Sequence, residues 1–339
     1  MQKLYIVLLN FNGTNDTIEC LDGLIKSEYE NIQIIVVDNS QDETAIKSLI
    51  NWAIDLEKEI SIQAENTNNK FHKKPITFIN LKEEEFHKKK NEKILFVKAK
   101  SNKGFSAGNN IALRYIKNNG DSNSFIWLLN NDTKVEKYTV NQIFEEINKI
   151  NNKYNSKIDI IGTPLMEYYD PNIIQALGGS YNEKTGLTSH IGKDIKLSSV
   201  TSGYLQELIK NVTYPIGASI IISKDFLNEI GFLCEDYFLF YEELDWIYRA
   251  KQKGGKLYII KVFSILHKQG NTTKAKSSQK KSEFIDLISL NSRLLFAKKF
   301  NKENINLVYI SIFTFTVGKR ILQGNFKIIP KIFKLIFKK

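Results

Sequence analysis

The 339-residue sequence predicts an α/β protein with a mostly parallel central sheet flanked by helices. Two observations carry this. The apolar runs LYIVLL (4–9) and IQIIVV (32–37) are rich in β-formers, and between them Ile18, Leu21, Leu24 and Ile25 recur at helical spacing, which makes a βαβ unit with parallel strands. Both runs then stop at polar residues, Asn10, Phe11, Asn12 and Gly13 after the first and Asp38, Asn39 and Ser40 after the second. Strand ends of such a sheet border the crevice where ligands bind, so polar groups are expected along one edge.

Composition narrows the class. Charged residues at 25% and hydrophobic ones at 42% suit a soluble globular chain of about two domains' length. Two cysteines, Cys20 and Cys234, exclude a disulfide framework and a thiolate metal site, which points to the cytoplasm. The N-terminal apolar run ends at Asn10, too soon for a signal peptide, and reads as the first buried strand.

In chain order, residues 43–56 read as a helix, and Asp38 either accepts hydrogen bonds from a base or ribose or caps the helix starting near Asp42. Residues 57–93 are a polar, Lys/Glu-rich insertion holding one added strand, Ile76–Leu81, to which no chemistry is assigned. The strand ILFV (94–97) leads into NKGFSAGNN (102–110) and a helix. Gly104 and Gly108 there allow close backbone approach, and the exposed N–H groups at the helix start favour an anion such as a diphosphate. The loop is no P-loop, because it lacks the Gly-Lys-Ser/Thr ending.

FIWLLNNDT (125–133) is a short buried strand ending in Asn130, Asn131 and Asp132. A carboxylate there suits a divalent cation, and the same residues suit a turn or helix cap. A helix around 136–150 and a strand at 158–161 follow, then residues 162–210, rich in Gly, Ser and Thr, which suggest a second half shaping an acceptor pocket. In 214–260, Ala218–Ile222 reads as a strand, Lys224–Ile230 as a helix, and Glu242, Glu243 and Asp245 fall in the first turn of another. The helix dipole and an i,i+4 pair with Arg249 account for Asp245. Glu243, between Tyr241 and Trp246, is placed for partial burial, which raises a carboxyl toward the range of a working base. An edge-like strand, VFSILH (262–267), ends in His267, a residue that is structural or a ligand, and 281–300 reads as an amphipathic helix.

Together VLLNFNG, IIVVDNS, NKGFSAGNN, WLLNNDT, the 214–260 block and ILHKQG resemble glycosyltransferase family 2, especially its rhamnosyltransferase-like members, over about residues 1–300. The resemblance implies a GT-A fold that transfers a sugar from a nucleotide-diphosphate sugar (UDP-, dTDP- or GDP-linked) with inversion. The acceptor it implies is a hydroxyl of a glycan or lipid-linked glycan in surface polysaccharide synthesis. It further implies nucleotide contacts at Asn10, Asn12, Asp38 and Asn39, at the Gly-rich loop through Asn102, Gly104 and Asn109, and at Asn131 and Asp132. Asp132 and His267 would hold Mg²⁺ or Mn²⁺, and Glu243 would be the catalytic base. Asn130 and Asn131 stand where relatives carry further carboxylates, and Glu243 stands where they often carry Asp.

Domain boundaries follow. Residues 1–270 form the transferase domain, with a nucleotide-binding half (1–135) and an acceptor-binding half (136–270), and 271–339 form a helical extension. Rival readings are a sugar nucleotidyltransferase, which needs basic residues in a Gly-rich loop after the first strand that LNFNGTN lacks, and a catalytically weak carbohydrate-binding module, which Asp132, Glu243 and His267 together argue against. Net charge is +11, and after Glu303 no acid occurs while Lys319, Arg320, Lys327, Lys331, Lys334, Lys338 and Lys339 do. No nucleic-acid recognition motif accompanies them. The uncharged run 304–318 is 15 residues, short of a membrane span, and after Pro330 a basic amphipathic helix is expected to dock on an anionic membrane, placing the protein on the inner face of the cytoplasmic membrane.

Overall fold

The computed structural model describes residues 1–66, 76–151, 159–268, 279–322 and 324–336. The first half runs β1 (Leu4–Asn10), α1 (Thr14–Ile25), β2 (Ile32–Asp38), α2 (Thr44–Asn66), β3 (Phe78–Lys82), β4 (Ile94–Lys98), α3 (Phe105–Asn119), β5 (Phe125–Asn130), β6 (Thr133–Val135) and α4 (Thr139–Asn151). The second half runs β7 (Ile160–Gly162), β8 (Leu165–Glu167), β9 (Ile173–Ala176), β10 (Gly178–Tyr181), β11 (Thr188–Ile191), β12 (Ile195–Lys196), α5 (Ser202–Lys210), β13 (Ser219–Ser223), α6 (Lys224–Ile230), α7 (Glu242–Gln252), β14 (Leu257–Ile259) and β15 (Ile265–His267). The C-terminal helices are α8 (Gln279–Phe300), α9 (Ile305–Ser311), α10 (Gly318–Leu322) and α11 (Ile329–Ile336), with a π-helical stretch Ile312–Val317 joining α9 to α10.

The main sheet has the order β14-β7-β13-β5-β1-β2-β4-β3, and β13 alone runs against the rest. Buried on both faces, its central strands are continuous apolar runs, as parallel sheets require. Tyr5 and Val7 of β1 feed the core beneath α3, α6 and α7, while Leu4, Ile6 and Leu8 feed the core beneath α1, α2 and α4. The chain moves from β1 outward to β2 and β4 and returns to the other side of β1 with β5. That reversal opens a crevice between the β1 and β5 ends, the usual ligand position.

A second sheet, β12-β9-β8-β15-β6, and the hairpin β10–β11 account for residues 162–210, whose roles the sequence did not reveal. Here β15 pairs with β8 and β6, so it is an interior strand and not the expected edge. The added strand of the insertion starts two residues later than expected and ends one later, and it forms the sheet edge beside β4; residues 67–75 of that insertion lie outside the described residues.

The expected boundary between residues 270 and 271 also lies outside the described residues. Beyond it, Phe296 of α8 packs into the same core as α7, and Leu290, Leu294 and Ala297 of α8 bury Val308, Ile312, Val317, Ile328, Ile332 and Ile336. This corrects two expectations. Ile332 and Ile336 of the basic helix face protein, because α8 offers them an apolar groove, while Phe337 and Lys338 lie outside the described residues. The helical run Lys302–Leu322 spans 21 residues with mean hydropathy 1.3 in its most apolar window, so by length and composition it passes for a membrane span.

Candidate active site

The register of the parallel strands sets Asn10 beside Asp38, Asp38 beside Lys98, and Leu9 beside Asn130, so four polar strand ends share one edge. Asn10 organises them. Its Nδ2 donates to Asp38 Oδ1 at 2.9 Å, and its Oδ1 accepts from Thr17 Oγ1 at 3.0 Å, from Gly13 N at 3.2 Å and from Asn131 Nδ2 at 3.4 Å. Asn131 also donates to Thr17 Oγ1 at 2.8 Å. Lys98, which sequence reading passed over, donates to Asp38 Oδ2 at 2.8 Å and to the carbonyls of Ser40 and Asp42 at 2.6 and 2.5 Å.

The residues expected to touch the nucleotide thus separate into two groups. Asn10, Asp38, Asn39 and Asn109 are almost wholly buried. Both oxygens of Asp38 accept from protein donors, and Asn109 donates back to Phe105 O in its own helix, so these side chains brace the strand ends. The reason is local: short polar side chains at strand ends are the groups best placed to satisfy one another and the helix N–H groups. Asn12 is exposed, with φ at +54°, and Asn102 and Asn131 are half-buried, so these three are more accessible than the first group.

The glycines of the Gly-rich loop lie closely against protein. Gly104 has φ of +97°, and a Cβ there would lie 2.2 Å from the Phe238 carbonyl oxygen; one at Gly108 would lie 2.5 Å from Leu9 Cδ1 and 2.7 Å from Asn39 Nδ2. The Phe105 N–H, first of the α3 donors, bonds Phe238 O at 2.7 Å. Asn110, overlooked beside Asn109, donates to Leu233 O and Glu235 Oε1 at 2.9 Å each and accepts from Leu233 N at 3.1 Å. The start of α3 is therefore a clamp on the loop that delivers α7.

That loop is strained. Phe240 and Tyr241, immediately before α7, both have φ of +70°, a left-handed conformation costing non-glycine residues about 1–3 kcal/mol each. Three neighbours hold it: Phe105 as above, Ser292 Oγ of α8 on Leu239 O at 2.8 Å, and Gly186 O, which accepts from Tyr241 Oη at 2.7 Å. The strain places Glu242 and Glu243 in the first turn of α7. Oε2 of each is buried without a hydrogen-bond partner. Burial pushes Glu243 up to about 7, and burial together with the neighbouring Glu243 charge pushes Glu242 well above the usual carboxylate range. Glu243 faces Gly217, where a Cβ would lie 3.7 Å from its Cδ. Gly217 precedes β13 at the end where Ala218 O accepts from Asn130 N, so Glu243 lies off the same sheet edge. Asp245 is fully buried and bonds Arg249 Nε at 2.6 Å and the Lys299 ammonium, which makes it a strut between α7 and α8.

Asp132 and His267 meet across β6 and β15, with Nε2 3.2 Å from Oδ1. Gln175 of β9, invisible to sequence reading, fixes the ring: its Oε1 lies 2.6 Å from Nδ1 and its Nε2 donates to His267 O at 3.0 Å. Both ring nitrogens thus face oxygen atoms, and the space between Nε2 and the carboxylate is one that a proton or a cation can bridge. Burial opposes charge on Asp132, but His267 and Lys268 outweigh it and hold the carboxyl below its usual range. Among the described residues no group of three or more acidic, histidine or cysteine side chains forms a complete metal cage. Two ligands nevertheless fit a cation whose other positions are filled by substrate phosphates and water.

No family profile matches the chain. It is 25% identical over 244 residues, 71% of its length and 74% of the relative's, to the low-salt glycan biosynthesis hexosyltransferase Agl10 of Haloferax volcanii. Among solved structures it is similar over 99% of its length, and 88% of the other chain, to the mannosyltransferase PcManGT from Pyrobaculum calidifontis in complex with GDP-Man and Mn²⁺, with a TM-score of 0.50 and 8% identity. Residues 1–349 of S. aureus TarS align over 94% of this chain and 74% of that one, with a TM-score of 0.45 and 13% identity. The chain has a glycosyltransferase fold.

Proposed function

We propose that the protein is a metal-dependent inverting glycosyltransferase that moves a hexose, rhamnose or a similar sugar, from a nucleotide-diphosphate sugar to a hydroxyl of a glycan or lipid-linked glycan. The observation that carries this is the presence, off one edge of one sheet, of a carboxyl raised to about 7, with one oxygen buried and unpartnered, and a buried Asp132–His267 pair with Nε2 3.2 Å from Oδ1. Similarity to a hexosyltransferase of glycan biosynthesis and to a mannosyltransferase fold supports the same reading.

In this reading Glu243 takes the proton of the acceptor hydroxyl as the acceptor oxygen bonds the anomeric carbon. The bond from that carbon to the diphosphate breaks with its electron pair on the diphosphate oxygen. Asp132 and His267 would hold Mg²⁺ or Mn²⁺, which supplies countercharge to that diphosphate, and Gln175 keeps the His267 ring in register. Asn12, Asn102 and Asn131 contact the nucleotide, and Asn10, Asp38, Asn39, Gly104 and Asn109 fix the strand ends and loop that present them. The residues 1–135 and 136–270 serve donor and acceptor respectively. The exposed apolar residues Leu307, Ile310, Phe315, Ile321, Leu322 and Phe326 of the C-terminal helices, with the surrounding lysines, seat the protein on the inner face of an anionic membrane.

A panel of UDP-, dTDP- and GDP-sugars tests the proposal. One donor should release its nucleoside diphosphate in Mg²⁺ or Mn²⁺ and fail to do so in excess chelator. Absence of binding or turnover with every sugar nucleotide would reject it.

A further inference from the structure

Arg293 of α8 is a buried cation outside the strand-end site, only 4% exposed. Its guanidinium donates to neutral oxygens: Nε to Thr185 O at 3.1 Å with Nη2 on the same carbonyl, Nη2 also to Ser311 Oγ at 2.5 Å, and Nη1 to Thr316 Oγ1 at 3.5 Å. No carboxylate pairs with it among the described residues. A buried charge without a counter-ion is costly, so its place calls for a reason other than stability.

Its partners supply one. Thr185 lies in the turn of the β10–β11 hairpin, and the next residue of that turn, Gly186, accepts from Tyr241 Oη at 2.7 Å. Tyr241 is the strained residue directly before Glu242 and Glu243. On the other side, Ser311 ends α9 and Thr316 lies in the π-helical stretch, a rare conformation that is frequent at functional sites. The turn also lies flush on α9, because a Cβ at Gly186 would be 3.1 Å from Val308 Cγ1 and 3.2 Å from Arg293 Nε. Between the turn, Tyr241 and Thr316 is a cavity of about 190 Å³, room for about six waters at ~30 Å³ each. Side-chain packing therefore does not fill this junction, and the hydrogen bonds of Arg293 and Tyr241 carry the connection across it.

We propose that Arg293 is a positioning residue for the transfer reaction: it locks the β10–β11 turn to α8 and the C-terminal helices, the turn holds the Tyr241 hydroxyl, and Tyr241 sets the first turn of α7 that carries Glu243. The C-terminal helices thereby belong to the catalytic apparatus besides seating the protein. The inference rests on the transferase reading, with Glu243 as base, and deepens it.

The test uses the full-length chain without vesicles, with nucleoside-diphosphate release as the assay. Arg293→Met and Tyr241→Phe should each lower kcat about tenfold with donor KM within about twofold, because a misplaced base slows chemistry and leaves donor contacts in place. Combined, they should lose no more than either alone, since both cut one chain of contacts. Arg293→Lys keeps the charge without the fork and should fall between Arg293→Met and the parent, and Ser311→Ala with Thr316→Val should slow turnover by removing the C-terminal links alone. The titratable groups around Glu243 are Glu242 and Tyr241 of its own turn and Tyr214 ahead of β13. Loosening this turn admits water to the Glu243 carboxyl, so the midpoint of the pH–rate profile should move below about 7. Amides 239–243 should also exchange hydrogen faster in each variant. A purely structural role would lower the urea midpoint and leave kcat per folded molecule, pH midpoint and loop exchange in place, which would overturn the proposal. Multiplying losses in Arg293→Met with Tyr241→Phe, or parent-like behaviour of the Ser311→Ala, Thr316→Val pair, would overturn it too. Should Arg293→Met not fold, Tyr241→Phe and that pair remove only small groups and carry the same test. A parent inactive with every donor would strike the transferase reading, and the exchange comparison would still decide the linkage.

Discussion

Replacing Glu243 by Gln should raise stability and abolish transfer, and the two effects have one cause. The folded protein holds the Glu243 proton until about pH 7, whereas the ordinary value is 4.5. The stabilising contribution of this raised group is complete below pH 4.5 and is lost as pH rises through about 7. Gln keeps the neutral form at every pH. Each pKa unit corresponds to ~1.4 kcal/mol, so above pH 7 the variant should gain on the order of 1–3 kcal/mol over the parent, and near pH 4.5 the gain should vanish. Activity runs the other way. The parent's rate should climb through pH 7 as Glu243 ionises, and Glu243→Gln should lose ~10²–10⁴ in turnover with donor affinity retained. Asp245→Asn serves as a control, because that carboxylate ties Arg249 and Lys299 and its loss should lower stability at all these pH values. Urea denaturation at pH 5 and pH 8, with nucleoside-diphosphate release as the rate assay, reads both arms. Near-normal turnover in Glu243→Gln alongside a collapse in Glu242→Gln would refute the assignment, and a stability gain independent of pH would refute its electrostatic cause.

Asp132→Ala and His267→Ala should each abolish metal-dependent donor binding, while Gln175→Leu, which touches neither donor nor cation, should weaken apparent metal affinity ~10–100-fold by freeing the imidazole; calorimetric titration of Mn²⁺ with donor present checks all three. Gly104→Ala should cost about 2–4 kcal/mol in thermal or urea unfolding, since a Cβ at positive φ meets the Phe238 carbonyl and forces the α7 loop outward. Phe315→Glu with Leu322→Glu should leave folding intact, both residues being exposed, and should abolish flotation with anionic vesicles at low salt. Flotation equal to the parent's would remove membrane docking from the function. Truncation after Lys319 is unsuited to this question, because it strips Ile328, Ile332 and Ile336 from the packing of α8.

Sequence alone determined the elements whose information is local. Apolar runs of four to six residues identified β1, β2, β4 and β5, the βαβ spacing made them parallel, and their abrupt polar ends marked the edge on which Asn10, Asp38 and Asp132 fall. The acidic first turn of α7 and the Asp245–Arg249 pair were readable for the same reason, since partners four residues apart are fixed by helix geometry. Tertiary structure decided everything that depends on partners distant in the chain. Gln175 meets His267 across 92 residues, Asn110 meets Leu233 across 123, and Lys98 meets Asp38 across 60. No periodicity encodes those contacts. Whether a polar side chain braces or binds was equally hidden: Asn39 and Asn12 are alike in sequence context, yet one is buried under α3 and the other is exposed. The apolar C-terminal helices show the same limit most plainly. Their composition suits a membrane or a core equally, and only the groove on α8 settles that Val308, Ile312 and Ile332 turn inward while Ile310, Phe315 and Leu322 turn out.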